Sequence, residues 1–105
     1  MVIQGNFSID KAGTIIGWAC NGNLKIYSSP IWVKATVRDN DYKKILLEET
    51  ALADEESDDP DSKVFGNGEC GFTIDIDWSA FTQATYEVTV TANGNTVLGV
   101  KLHNI

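Results

Sequence analysis

The chain has 105 residues, of which 43% are hydrophobic and 22% charged, and its formal net charge is −7. This length and this hydrophobic content suit one core, so we expect residues 1–105 to form a single domain. No run approaches the roughly 20 apolar residues of a membrane helix, and the first residues lack the layout of a signal peptide. The composition therefore argues against a membrane span and leaves the compartment open.

The negative charge is concentrated in one segment. Eight acidic residues, and no Lys or Arg, lie between Ile45 and Ser62. Taking these eight charges from the total of −7 leaves about +1 for the rest of the chain. A phosphate backbone would be repelled by this segment, and no basic stripe elsewhere in the sequence could bind it. We therefore expect no nucleic-acid partner.

Apolar and polar residues alternate along most of the chain, which is typical of strands with one buried face. Turn-forming pairs such as Asn93-Gly94 separate the alternating runs. About seven strands at this spacing predict an all-β fold, a two-sheet antiparallel β-sandwich that is immunoglobulin-like or a jelly roll. In chain order, the predicted strands cover about residues 3–9, 16–20, 31–38, 43–53, 70–78, 85–92 and 96–103.

Two features interrupt the predicted strands. Residues 54–67 are expected to form a long acidic loop, and a short helical turn is expected near Trp78, with Ser79 as its cap. The phase of the alternation places Trp18, Cys20, Cys70 and Trp78 on inward faces. Since both cysteines would then point into one core, they could form a disulfide or remain two buried free thiols.

Trp32 has the opposite parity to Val33, so we expect its indole on the outer surface. A solvent-facing aromatic ring can pack against the apolar CH face of a sugar, which predicts carbohydrate binding. Alternatively, Trp32 packs under a loop or at a dimer contact. Tyr27 and Tyr42 flank the strand and could extend the aromatic surface. The candidate ligand-binding residues are Trp32, Tyr27, Tyr42, Lys34, Thr36 and Arg38.

The acidic segment allows three interpretations. It can be a solvated loop, or it can attract a basic protein partner, as an inhibitor or immunity-type protein would. It can also hold calcium, because Asp58, Asp59 and Asp61 offer hard oxygen ligands. The spacing of these three acids does not match a calcium-loop motif.

Catalytic motifs are missing from the sequence. There is no P-loop, dinucleotide fingerprint or zinc-ligand spacing. Asp75 and Asp77 form a pair of the kind that glycosidases use, but such a pair on one strand usually faces solvent. His103 is the one histidine, and it lacks a nucleophilic partner in a known context. We expect a protein that is not an enzyme and has no cofactor.

Three short motifs resemble a known module. Gly17-Trp18-Ala19 is followed by Pro30-Ile31-Trp32-Val33 and then by Gly71-Phe72. This order resembles the short β-sandwich modules with a GWA…P-x-x-V…GF pattern that are appended to bacterial glycosyltransferases and other cell-envelope polysaccharide proteins. The resemblance implies an accessory, sugar-associated or spacing domain, outside the cell or in its envelope. The acidic insertion between Leu52 and Val64 departs from that pattern, and so do the two cysteines.

The leading hypothesis is a non-catalytic module that binds a glycan or polysaccharide through the Trp32 surface. The alternative is an acidic protein-interaction domain that docks residues 48–61 on a basic partner. A structural spacer is the third hypothesis.

Overall fold

The computed structural model describes residues 3–21, 31–61, 69–82 and 84–105. These residues contain seven strands and one 3-10 turn at Trp78–Ala80. Within the same ranges, no helix combines the length and the apolar character that crossing a bilayer requires. The strands are β1 (Ile3–Ile9), β2 (Ile15–Asn21), β3 (Ile31–Asp39), β4 (Ile45–Ala53), β5 (Gly71–Ile74), β6 (Thr85–Ala92) and β7 (Thr96–Asn104).

The strands form two antiparallel sheets, a three-stranded sheet ordered β1-β2-β5 and a four-stranded sheet ordered β4-β3-β6-β7. The predicted all-β sandwich is therefore confirmed. Its order is immunoglobulin-like, because the first, second and fifth strands share one sheet and the third, sixth and seventh share the other. β4 extends the second sheet by pairing with β3.

The core lies between the sheets and follows the alternation of the sequence. Val33, Ala35 and Val37 on β3 are 0–1% exposed, and they pack with buried residues of β6. Phe7 on β1 and Phe72 on β5 close the core from the other sheet. The inward faces predicted for these four strands are confirmed.

The phase predicted for β2 was wrong. Its register pairs Gly17 with both Phe7 and Phe72, so Gly17 lies on the core face while Trp18 and Cys20 lie on the outer face. A Cβ atom on Gly17 would lie 2.7 Å from Cζ of Phe72 and 2.8 Å from Cβ of Phe7. The Phe72 ring and the Phe7 side chain thus occupy the space that a side chain at Gly17 would need. Ile15 and Ala19 are the core residues of β2, and Trp18 and Cys20 face outward.

Two irregularities shift side chains on the edges of the four-stranded sheet. A register shift beside Val37 places Ile45 opposite Arg38. In this position Ile45 is 48% exposed. A second shift, beside Val90, lets Leu98 pack against the core. Val97, Val100 and Leu102 remain between 56% and 59% exposed. The predicted hairpin turn is confirmed, with positive φ at Asn93 and Gly94.

Candidate functional site

The Trp32 surface lies on the outer face of the four-stranded sheet. Trp32 is the second residue of β3 and is 59% exposed, as its parity predicts. A large aromatic side chain exposed to this degree contributes little to the core. It is therefore available for contact with a ligand.

Polar side chains adjoin the exposed indole. Lys34 lies two residues further along β3 on the same face, at a spacing of roughly 7 Å. It is flanked by Thr50 on β4 and Thr91 on β6, and its Nζ lies 3.5 Å from a carboxylate oxygen of Glu48. The surface therefore combines an aromatic face with an ammonium group and two hydroxyl groups.

Thr36 and Arg38 lie on the same face but do not adjoin the indole. Thr36 is only 5% exposed, so its side chain cannot reach a ligand as predicted. Arg38 is six residues from Trp32, about 20 Å along an extended strand, and its guanidinium donates a hydrogen bond to the Thr89 hydroxyl at 3.3 Å. The candidate surface is thus smaller than the sequence pattern predicted.

Of the two tyrosines predicted to extend this surface, only Tyr42 is among the described residues, and it lies away from Trp32. Tyr42 is 85% exposed in the turn between β3 and β4, where its backbone N–H donates to Asp39. This turn follows the C-terminal end of β3, whereas Trp32 lies near the N-terminal end of the strand. Tyr27 lies outside the described residues.

The acidic segment folds against the three-stranded sheet. Residues 55–61, called here the acidic flap, follow β4 and reach the edge of β5. There the backbone groups of Glu55 and Gly71 exchange two hydrogen bonds, of 2.9 and 2.7 Å. A Cβ atom on Gly71 would lie 3.0 Å from the Glu55 carbonyl oxygen. The absence of a side chain at Gly71 therefore lets the flap approach the sheet closely.

Trp18 is buried beneath the flap, and it is not part of the main core. It is 5% exposed, and its indole Nε1–H donates to Oδ2 of Asp59 at 3.1 Å. The other carboxylate oxygen of Asp59 accepts the Asp61 backbone N–H at 2.9 Å. The Asp59 backbone N–H donates in turn to the Ser57 hydroxyl. Side chains of the flap thus fix it over the indole.

A disulfide joins Cys20 to Cys70, whose Cα atoms are 5.5 Å apart. With Trp18 the two cysteines form a small buried cluster that is separate from the sandwich core. Cys70 immediately precedes β5, so the strand alternation that predicted an inward side chain does not apply to it. The bridge therefore fastens the outer face of the three-stranded sheet, where the flap lies.

A groove of about 320 Å³ lies beside the contacts between the flap and the sheet, and it is lined by residues of the flap and of the outer face of the three-stranded sheet. Ile16, which is 46% exposed, and Trp18 contribute apolar surface to it, and Glu55, Glu56 and Asp58 line the flap side. Lys101 also lines the groove, and its Nζ lies 5.2 Å from the centroid of the Phe7 ring. The alternation of side chains did not indicate this groove, because it predicted Trp18 in the core.

The described residues contain no group of three His, Cys, Asp or Glu side chains placed to hold a metal ion. Asp58, Asp59 and Asp61, the calcium candidates, do not form such a group. Both carboxylate oxygens of Asp59 already accept hydrogen bonds within the protein. The acidic flap consequently shows no calcium-binding arrangement.

The paired carboxylates near the end of β5 have structural partners. Asp75 accepts a hydrogen bond from the Thr14 hydroxyl at 3.2 Å. Asp77, rather than Ser79, caps the 3-10 turn. Hydrogen bonds from the Ser79 hydroxyl and then from its backbone N–H lower the pKa of the Asp77 carboxyl below its ordinary value. His103 packs against Trp78, with ring centroids 4.5 Å apart.

The fold and these surfaces define an immunoglobulin-like β-sandwich with one open outer face and one outer face that an acidic flap covers in part, over Trp18. Comparisons with protein-family models, with curated proteins and with solved structures find no match to this chain. Inferences about its function therefore rest on the two surfaces themselves.

Proposed function

We propose that the domain is a non-catalytic module that binds carbohydrate through the Trp32 surface. The observation that carries this proposal is the 59% exposure of Trp32 on the outer face of the four-stranded sheet. The resemblance to modules of cell-envelope polysaccharide proteins supports the same ligand class.

The chemistry of the surface suits a sugar ring. The apolar CH face of a pyranose packs on an indole, while the sugar hydroxyl groups need donors and acceptors nearby. Lys34 supplies an ammonium donor, and Thr50 and Thr91 on the neighbouring strands supply hydroxyl groups. An open face of this kind buries little of its ligand, so each site binds weakly. Several copies in one assembly would raise the avidity.

A glycan array probed with the wild type, Trp32→Ala and Tyr42→Ala tests the proposal. Trp32→Ala is expected to weaken binding about tenfold or more, the loss typical of removing a central aromatic contact. Tyr42→Ala removes a more exposed aromatic ring at the far end of β3 and is expected to bind like the wild type. Equal signals for all three proteins, or no signal at all, would contradict carbohydrate binding at Trp32.

A second candidate function is docking of the acidic segment on a basic protein partner. The fixed conformation of the flap favours this function. Glu55, Glu56 and Asp58 are exposed, while backbone hydrogen bonds to Gly71 hold the flap against the sheet. Preorganised charges of this kind accelerate association with a basic surface and select against acidic ones.

Ionic strength separates the two candidate functions. Docking by exposed carboxylates should weaken strongly as salt rises, because the screening length falls to about 8 Å at physiological ionic strength. Stacking of a neutral sugar on Trp32 should change little over the same range. A binding titration at low and physiological salt therefore assigns any ligand to one surface or the other.

A further inference from the structure

We infer that the groove beneath the acidic flap binds a Lys or Arg side chain from an extended segment of a basic partner protein. The inference rests on the second candidate function and gives it a defined site. The groove is about 320 Å³ in volume, near the lower end of the roughly 300–1,000 Å³ that is usual for ligand pockets. It is formed by both the sheet and the flap, so it is more than a set of acidic side chains.

The lining of the groove matches the two parts of a long basic side chain. Lys and Arg have an apolar stem and a charged end, and they bury the stem along apolar surface. Ile16 is 46% exposed at the groove and offers such a surface, on the same outer face of β2 as Trp18. The carboxylates of Glu55, Glu56 and Asp58 line the opposite side and would pair with the charged end.

The charge around the groove favours a peptide over an isolated cation. Asp54, immediately before the flap, and Asp61, its last residue, are also exposed, so negative charge is present on both sides of the groove residues along the chain. A polymer with several basic residues can use this additional charge, whereas a single small cation cannot. Among the residues that the structure describes, Lys101 is the one basic residue that lines the groove, against the acidic residues Glu55, Glu56 and Asp58.

The groove has fixed walls. The backbone pairing of Glu55 with Gly71 and the hydrogen bond from Trp18 to Asp59 hold the flap against the sheet. Binding therefore requires little ordering of this part of the protein, which reduces the entropic cost of association.

The test uses hexalysine, acetylated at its N-terminus and amidated at its C-terminus, titrated into the wild-type protein at low salt. Two charge-matched variants are compared: Glu55→Gln/Glu56→Gln in the groove, and Glu48→Gln/Glu49→Gln on β4 outside it. Each variant removes two negative charges from exposed glutamates. The groove variant is expected to weaken binding about tenfold, and the β4 variant less than about threefold.

Two further controls examine the charge and the apolar surface. Hexalysine acetylated on its side chains keeps the stems but lacks the charge, and it should not bind. Ile16→Ser should weaken binding, whereas Val100→Ser, at an apolar residue of similar exposure on the four-stranded sheet, should not. Chemical-shift mapping on the wild type should place the perturbed amides at Ile16 and Thr73, so the inference can be tested without any variant.

The outcomes distinguish the groove from the function on which it rests. Equal weakening by the two charge variants would overturn the groove and leave general docking by the acidic segment standing. No binding of hexalysine by the wild type at low salt would overturn both. Equal binding of the side-chain-acetylated peptide would overturn recognition of the charged end.

Discussion

The two outer faces of the sandwich each carry one tryptophan from a central strand, but with opposite exposure. Trp18 on the three-stranded sheet is 5% exposed, and Trp32 on the four-stranded sheet is 59% exposed. Each indole alternates with core residues along its strand, so both indoles lie on the outer face of their sheet. The alternation does not determine whether an outward-facing indole is exposed or buried. The difference arises from the acidic flap, whose Asp59 lies 41 residues after Trp18 in the chain.

Covering one face requires several coordinated features. Gly71 allows the flap backbone to approach, Asp59 bonds the indole, and the disulfide fastens the sheet beneath. The face around Trp32 instead carries polar residues such as Lys34 and Thr50, which are compatible with water. The comparison suggests that Trp18 stabilises the domain while Trp32 is available for a ligand.

Replacing each of the two tryptophans with alanine should give the largest difference in the free energy of unfolding between the two faces. Trp18→Ala removes a buried ring and is expected to lower the free energy of unfolding by about 3–5 kcal/mol. Trp32→Ala, on an exposed side chain, should change it by no more than about 0.5 kcal/mol. Denaturant unfolding followed by circular dichroism measures both values. Similar losses for the two variants would contradict the assignment of a covered face and an open face.

Removal of the disulfide should have the next largest effect. The bridge spans a sequence separation of 50 residues, and Cys20→Ala/Cys70→Ala is expected to cost about 2–4 kcal/mol. Because the bridge lies on the covered face, ligand binding at Trp32 should be preserved in the folded variant. Calorimetry and the glycan array test these two expectations. A variant that retains full stability would show that the bridge does not constrain the chain.

The hydrogen bond between the flap and Trp18 should contribute less. Asp59→Ala removes the acceptor of a part-buried indole N–H and is expected to cost about 1–3 kcal/mol. Asp58→Ala is the matched control, since Asp58 is an exposed neighbour, and its effect should stay within about 0.5 kcal/mol. Thermal unfolding of both variants provides the measurement. If the two substitutions have the same effect, Asp59 does not hold the flap.

The smallest effect is expected on the open face. Lys34 and Glu48 are each 44% exposed and lie 3.5 Å apart, so a double-mutant cycle with alanine should give a coupling of about 0.2–1 kcal/mol. This coupling should decrease as salt screens the pair. A coupling energy larger than the stability lost in Asp59→Ala would contradict the expectation that contacts on the flap side stabilise the protein more than contacts on the open face.

The fold was predictable from the sequence because β3 and β6 alternate without interruption. Val33, Ala35 and Val37 identify one face of β3 regardless of what surrounds it. For β2, the prediction assigned the larger side chains, such as Trp18, to the core face, and this assignment was wrong. The useful signal was Gly17, because the absence of a side chain there leaves room for the Phe72 ring and for Cβ of Phe7 on the neighbouring strands.

The candidate site was predictable only in part. Parity placed Trp32 and Lys34 on the outer face, but it carried no information about position along the strand or about covering residues. Thr36 is therefore buried despite its parity. The groove depends on contact between Trp18 and Asp59, which are distant in sequence, and no local pattern predicts such a contact.

Hydrogen exchange at the three indole N–H groups, assigned with single Trp→Phe variants, tests the central comparison most directly in the wild-type protein. Trp18, bonded to Asp59 beneath the flap, should exchange at least about tenfold more slowly than Trp32. Trp78, bonded to the Gly13 carbonyl oxygen, provides an internal reference for a protected indole. Exchange of Trp18 as fast as that of Trp32 would show that the flap does not cover the three-stranded sheet.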